Sequence, residues 1–157
     1  MAVSIFDVAN YFLSKIDFGS GGSITPLKLQ KLTYYAQAWY LVFYDRPLFG
    51  EHFEAWAHGP ANPELFRLYK GYGWRSIEPL DDFCPNMFSD EQIEHLDEVW
   101  EAYGMYDGKY LENLTHQEDP WLEARGGCRA GDICDNIITQ DSMKRYYSKV
   151  LQESNAQ

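Results

Sequence analysis

The stretch that decides the fold is residues 25–44, Thr-Pro-Leu-Lys-Leu-Gln-Lys-Leu-Thr-Tyr-Tyr-Ala-Gln-Ala-Trp-Tyr-Leu-Val-Phe-Tyr. The hydroxyl of Thr25 can accept a hydrogen bond from a free backbone N–H at a helix start. Pro26 suits the first helical position, where its missing N–H costs nothing. A turn residue and a proline follow the last apolar position, at Asp45 and Pro47. These signals predict one long helix over the whole stretch.

The apolar residues of this stretch fall on two nearly opposite faces of a helical wheel. One face has Leu29, Leu32, Ala36, Trp39 and Phe43, and the other has Leu27, Tyr34, Ala38, Leu41 and Val42. A helix that is apolar on two sides is buried on two sides. We therefore expect a mainly α-helical fold, a compact bundle of six or seven helices around residues 25–44, with Trp39 and Phe43 in the core.

Cap residues before apolar runs of helical spacing predict the other helices. They are Ser4, Asn62, Ser89, Asp119 and Thr139, and Tyr110, Leu111 and Leu114 indicate one further short helix. Glycines make residues 17–23 a connecting loop, and weak alternation predicts at most a minor, two-stranded β-ribbon near residues 48–58. At 157 residues the chain fits one domain, which we place at residues 1–151, before a polar tail at residues 152–157.

The formal net charge of −11 is confined to the second half of the chain. Residues 1–78 hold 7 Lys/Arg against 7 Asp/Glu, whereas the remainder holds 6 against 17. Without clustered Lys/Arg, direct nucleic-acid binding is disfavoured, and a basic partner or simple solubility is favoured. No run approaches the ~20 apolar residues of a membrane span, and no signal peptide is apparent. Cys84, Cys128 and Cys134 are an odd number, so we expect reduced thiols in a cytoplasmic protein.

The potential metal ligands and catalytic residues do not have the spacing that known metal and catalytic sites require. Cys128 and Cys134 are separated by five residues, outside the tight pairing of structural zinc sites. His116 and Glu118 match only half of a zinc deaminase signature. We expect no metal, cofactor or catalytic residue. The alternative is a small hydrolase or transferase that uses His116 and Glu118 as acid and base, and a structural alternative is a helix corner capped by Asp119.

Several aromatic residues are hard to bury by pattern and are candidates for a protein-binding patch. A second candidate is the outward face of the helix after Ser89, which carries five acidic residues. The predicted partner-binding residues are Tyr40, Tyr44, Trp56, His58, Trp74, Glu94, Glu98, Glu101, His116 and Glu118, with Glu91 and Asp97 on the same acidic face.

Four motifs, in order, resemble the Panacea domain family, which includes SocA-like antitoxins and phage-associated GepA proteins. They are Ile24 to Leu32 with Tyr34 to Tyr40, then Pro47-Leu48-Phe49, then Glu54-Ala55-Trp56 with Gly59-Pro60, then Leu114-Thr115-His116 with Glu118 to Trp121. The resemblance covers roughly Val8 to Tyr147, nearly the whole chain.

The resemblance implies an antitoxin that neutralises a cognate toxin protein by direct contact. Some members of that family are instead adaptors that deliver the toxin to a AAA+ protease. The resemblance implies no catalytic residue, names no toxin and leaves the oligomeric state open. From the charge, we expect a toxin with a basic surface. From the lack of a long apolar run, we expect no contact with a membrane.

Overall fold

The computed structural model describes residues 2–16 and 22–155, and most of the expected loop at residues 17–23 lies outside them. In chain order the described helices are α1 (Ile5–Leu13), α2 (Pro26–Tyr44), α3 (Pro63–Tyr69), α4 (Asp90–Tyr103), α5 (Gly108–Thr115), α6 (Asp119–Arg125) and α7 (Gln140–Asn155). The strands are β1 (Phe53–Trp56), β2 (Gly59–Ala61) and β3 (Ile137–Ile138). The predicted mainly α-helical bundle is confirmed. Helix α7 continues to Asn155, into the expected tail.

Helix α2 is the centre of the bundle, as predicted. It packs against five of the other helices and against β2. The Thr25 hydroxyl accepts a hydrogen bond from the Lys28 N–H at 3.2 Å, and Pro26 is the first helical residue. The helix ends at Asp45, whose φ of 55° is left-handed. The local signals of the sequence therefore set both ends of α2.

The middle of α2 is buried on its polar sides as well, which goes beyond the predicted two faces. Gln37 donates to the Phe49 carbonyl at 2.7 Å and accepts from the Leu48 N–H at 2.8 Å. Gln30 makes the same pair of bonds with the backbone of Asn62. A buried polar group without a partner costs about 1–3 kcal/mol, so these bonds make the burial tolerable.

The last turn of α2 departs from the prediction. Phe43 was expected in the core, but 50% of its surface is exposed. Trp39 is only partly buried, and its indole N–H donates to the Tyr103 hydroxyl at 2.8 Å. The reason is that a groove between α4 and α7 leaves this end of α2 uncovered.

The minor β-ribbon is present at residues 53–61 and has a third strand that we did not expect. The sheet order is β2-β1-β3, and both pairs are antiparallel. Strand β3 has two residues, Ile137 and Ile138, which pair with Glu54 and Phe53. So short a segment carries no alternation by which a sequence could predict it. The ribbon lies against α2 and α6.

Candidate interaction surfaces

Three glutamates form an open acidic stripe along α4. Glu94, Glu98 and Glu101 are exposed at helical spacing i, i+4 and i+7. Among the described residues none of the three takes part in an ion pair. Two other members of the predicted acidic face are engaged within the molecule. Glu91 pairs with Arg46 at 3.0 Å, and Asp97 pairs with Lys15 at 2.8 Å.

An apolar groove of about 270 Å³ runs beside this stripe, between α2, α4 and α7. Its lining includes Trp39, Phe43, Val99, Tyr103 and Leu151, with Glu98 at its edge. The rings of Trp39 and Phe43 stack with centroids 5.8 Å apart. We call this surface the α4 groove. An apolar centre beside exposed charge is the anatomy of a protein interface.

The two tyrosines predicted as anchors are less accessible than Phe43. Tyr40 was expected on the surface, but it is 1% exposed, so that prediction is wrong. Its ring packs against those of Tyr44 and His95, and its hydroxyl accepts a hydrogen bond from Arg46 at 3.1 Å. Tyr44 is partly buried. The packing of α4 over this side of α2 covers both tyrosines.

A second apolar concavity, of about 290 Å³, lies at the other end of α2. The first turns of α2, the β1–β2 turn, α3 and the following chain enclose it, and we call it the α3 cavity. Trp74 stands at its mouth and is 72% exposed. His58 is also exposed, and Trp56 meets the ring of Phe66 edge-on at 5.2 Å. The predicted aromatic residues therefore belong to two separate surfaces.

Glu118 points into the protein core and cannot contact a partner as predicted. It is 9% exposed, and its carboxylate accepts hydrogen bonds from Tyr35 at 2.7 Å and Tyr147 at 2.8 Å. Burial raises the pKa of Glu118 to about 7, against the opposing effect of the two hydroxyl donors. Glu118, not Asp119, is the N-cap of α6, and Asp119 is the first helical residue.

The side chain of His116 lies in different surroundings from that of Glu118. Its ring stacks on Trp121 at 4.3 Å, and burial lowers its pKa. The Nε2 atom of His116 is buried and has no hydrogen-bond partner within the described part of the chain. Neither His116 nor Glu118 lines the α4 groove or the α3 cavity. The pair therefore does not form an acid and a base facing one substrate cleft.

Two residues on these surfaces were not predicted as site residues. Phe43 was expected in the core because it continues an apolar stripe, although its position beside the Asp45 stop was a signal that the helix end could be open. Lys31 lines the α3 cavity and is 1% exposed. A lysine in the second turn of a helix apolar on two faces was the available signal, because such a residue must be covered by a neighbour.

The described residues hold no group of three or more His, Cys, Asp or Glu side chains placed to bind a metal ion. All three cysteines are free. In residues 2–16 and 22–155, no helix has the length and apolar character needed to cross a membrane.

Comparison with known proteins gives two matches. The sequence model of a family described as antitoxin SocA-like, Panacea domain, matches residues 29–122. Antitoxin SocA of Caulobacter vibrioides (strain NA1000 / CB15N) is 44% identical over 54 residues, which are 34% of this chain and 29% of that protein. The match therefore spans less than a third of the length of that relative. No solved structure matches the chain.

Proposed function

Since the chain belongs to the family of SocA-like antitoxins with a Panacea domain, we propose that it neutralises a cognate toxin protein by binding it directly through the α4 groove. Family membership indicates an antitoxin role, a toxin as partner and a function other than catalysis. The observation that carries the choice of surface is the half-exposed Phe43, whose ring stacks on that of Trp39 in a groove beside an acidic stripe.

The apolar part of the α4 groove supports this proposal. A side chain that is half exposed in the free protein and rests on a stacked ring can be desolvated by a partner with little loss of conformational freedom. Phe43 and Trp39 meet that description, and Val99 and Leu151 supply further apolar walls. A toxin would place an apolar side chain against Phe43 and exclude water from the groove.

The charge beside the groove specifies the chemistry of the toxin surface. Glu94, Glu98 and Glu101 have no ion-pair partner among the described residues, so their charges are available to a partner. A basic toxin surface would be attracted over several ångströms before contact, which raises the association rate more than the final affinity. We therefore propose a toxin with Lys or Arg around an apolar contact.

The test uses the product of the gene adjacent to this one as the candidate toxin. We expect this protein to restore growth when the two are co-expressed and to co-purify with the toxin. Phe43→Ala should weaken binding at least about tenfold, mainly through faster dissociation. Phe66→Ala is the matched control, because Phe66 is 42% exposed and lies in the α3 cavity. Equal loss of binding in both variants, or loss only with Phe66→Ala, would remove the α4 groove from the proposal.

An inhibition assay with purified proteins separates blocking from delivery to a protease. Blocking predicts that purified protein inhibits the purified toxin without any protease, at a stoichiometric ratio. An adaptor would leave the toxin active in that assay and would lower the amount of toxin only in cells that hold the AAA+ protease. Inhibition that requires the protease would overturn direct neutralisation.

A further inference from the structure

The ionisable side chains that line the α3 cavity are two lysines and a histidine, beside the neutral amide of Gln30. They are Lys31, Lys70 and His58, and no carboxylate in the described part of the chain lines the cavity. This is unusual in a chain of net charge −11. Most of the remaining lining is apolar or aromatic. Apolar walls with a few convergent polar groups characterise small-molecule sites.

Lys31 is the buried polar group of the cavity. Its Nζ donates to the Pro60 carbonyl at 3.1 Å, which is its one hydrogen bond to the described residues. An ammonium group has three N–H donors, so two remain for another acceptor. Burial lowers the pKa of Lys31 to about 7, and the charge of Glu112 acts in the opposite direction. An anionic oxygen beside Nζ would complete its bonding and favour its charged form.

Gly59 shapes the wall that holds Lys31 in place. Its φ is +102°, and a Cβ at this position would lie 2.7 Å from Lys31 Cε and 2.8 Å from Thr115 Oγ1. A side chain is therefore excluded, and the backbone of β2 approaches the lysine closely. Segments from α2, β2 and α5 meet here, so the position of the amine is fixed by three separate elements of the fold.

The apolar part of the cavity is the right size for one ring system. Trp56, Leu65 and Phe66 form walls, and Trp74 borders the mouth. A volume of about 290 Å³ is near the lower end of the range for small-molecule pockets, roughly 300–1,000 Å³. A partly exposed tryptophan and phenylalanine can sandwich or edge-pack a planar apolar group.

We propose that the α3 cavity binds a small organic acid, with its apolar body against Trp56 and Phe66 and its carboxylate paired with Lys31. The occupant follows from charge complementarity with the two amines, Lys31 and Lys70, since no carboxylate among the described residues lines the cavity and the imidazole of His58 is already paired with Glu112 at 3.0 Å. A primary amide of the same shape would lack the charge that attracts the amine, and an organic cation would be repelled. This site lies at the opposite end of α2 from the α4 groove, so it is independent of the proposed function.

The test measures the binding of two probe acids, 4-phenylbutyrate and indole-3-acetate, and of their primary amides, by ligand-detected NMR and tryptophan fluorescence. We expect each acid to bind with a dissociation constant of about 1 mM or lower, as small ligands do. Each amide should bind at least tenfold more weakly. Lys31→Met keeps an unbranched side chain, one atom shorter and without the amine, and should reduce the affinity for the acid to that for the amide. Lys149→Met, an exposed lysine of α7, is the control and should leave both affinities unchanged.

A second variant keeps the test decisive if Lys31→Met fails to fold. Phe66 is exposed, so Phe66→Ala should preserve the fold and weaken the acid and the amide by a similar factor. The proposal is overturned if neither acid binds, if acid and amide bind equally to the wild-type protein, or if folded Lys31→Met binds the acid normally. It is also overturned if only a peptide with a free C-terminal carboxylate binds, because the occupant would then be a protein segment.

Discussion

Tyr35 and Glu118 lie 83 positions apart in the chain and are joined by a hydrogen bond of 2.7 Å from the phenol to the carboxylate. The bond connects the central helix α2 to the N-cap residue of α6 inside the core. Tyr147 of α7 donates to the same carboxylate oxygen at 2.8 Å. One carboxyl group therefore links three helices, and its protonation state is coupled to their packing.

Glu118→Gln should make the stability of the protein less dependent on pH. Burial raises the folded-state pKa of Glu118 to about 7 from a usual value of 4.5. The folded protein thus holds this proton more tightly than the unfolded chain does. The stability that this provides is fully present below pH 4.5 and is lost as the pH rises through 7. The difference amounts to about 3 kcal/mol across that window.

The measurement is urea unfolding of the wild-type protein and of Glu118→Gln at about pH 5 and about pH 8. Most of the predicted change in stability falls between these two pH values. Glutamine is uncharged and can still accept from Tyr35 and Tyr147, so the variant should gain stability relative to the wild type as the pH rises. His95 and His116, whose pKa values burial lowers, titrate in both proteins and largely cancel in the comparison. If the difference in stability between the two proteins stays constant over this pH range, the pKa of Glu118 is not raised in the folded protein.

Two truncations in α2 should separate its core from its open end. Leu32 is fully buried, so Leu32→Ala should lower the free energy of unfolding by about 2–5 kcal/mol. Phe43→Ala should cost less than about 1.5 kcal/mol, because half of that side chain already contacts solvent. Chemical denaturation of the two variants gives both values, and similar losses would mean that Phe43 is buried.

Gly59→Ala should destabilise the protein by at least about 2 kcal/mol. The left-handed region that Gly59 occupies disfavours a side chain, and the new methyl group would collide with Lys31 and Thr115. Gly50→Ala is the matched control, since a methyl group at that position would meet no atom within 4 Å, and its effect should stay within about 0.5 kcal/mol. Thermal unfolding of the pair tests the expectation, and an equal shift in both variants would refute it.

The ends of the helices could be predicted from the sequence because caps and prolines act locally. The capping boxes at Ser4 and Ser89 and the Thr25 cap all form as predicted. The burial of the polar sides of α2 in its middle turns could not be predicted, because Gln30 and Gln37 are satisfied by backbone groups of other segments. A helical wheel contains no information about those partners.

The candidate surfaces were less predictable than the fold. The acidic stripe of α4 followed from spacing alone, but which of its glutamates are engaged depends on Arg46 and Lys15, which lie on other elements. Tyr40 and Glu118 were expected on the surface and are buried, because phenol and carboxyl groups can be satisfied inside by hydrogen bonds. Residue type alone did not show which of the predicted partner-binding residues are exposed and which are buried.

The most direct test of binding through the α4 groove is the association rate of the toxin with a triple reversal, Glu94→Lys, Glu98→Lys and Glu101→Lys, measured at low and high salt. The control reverses Glu78, Asp81 and Asp82, three exposed acidic residues of the α3–α4 connection, and so changes the net charge equally. We predict that the α4 reversal slows association at least about tenfold at low salt and much less at high salt, with unchanged helix content. The control should retain most of the rate. An association rate that neither reversal changes, or that both reduce equally, would contradict the account.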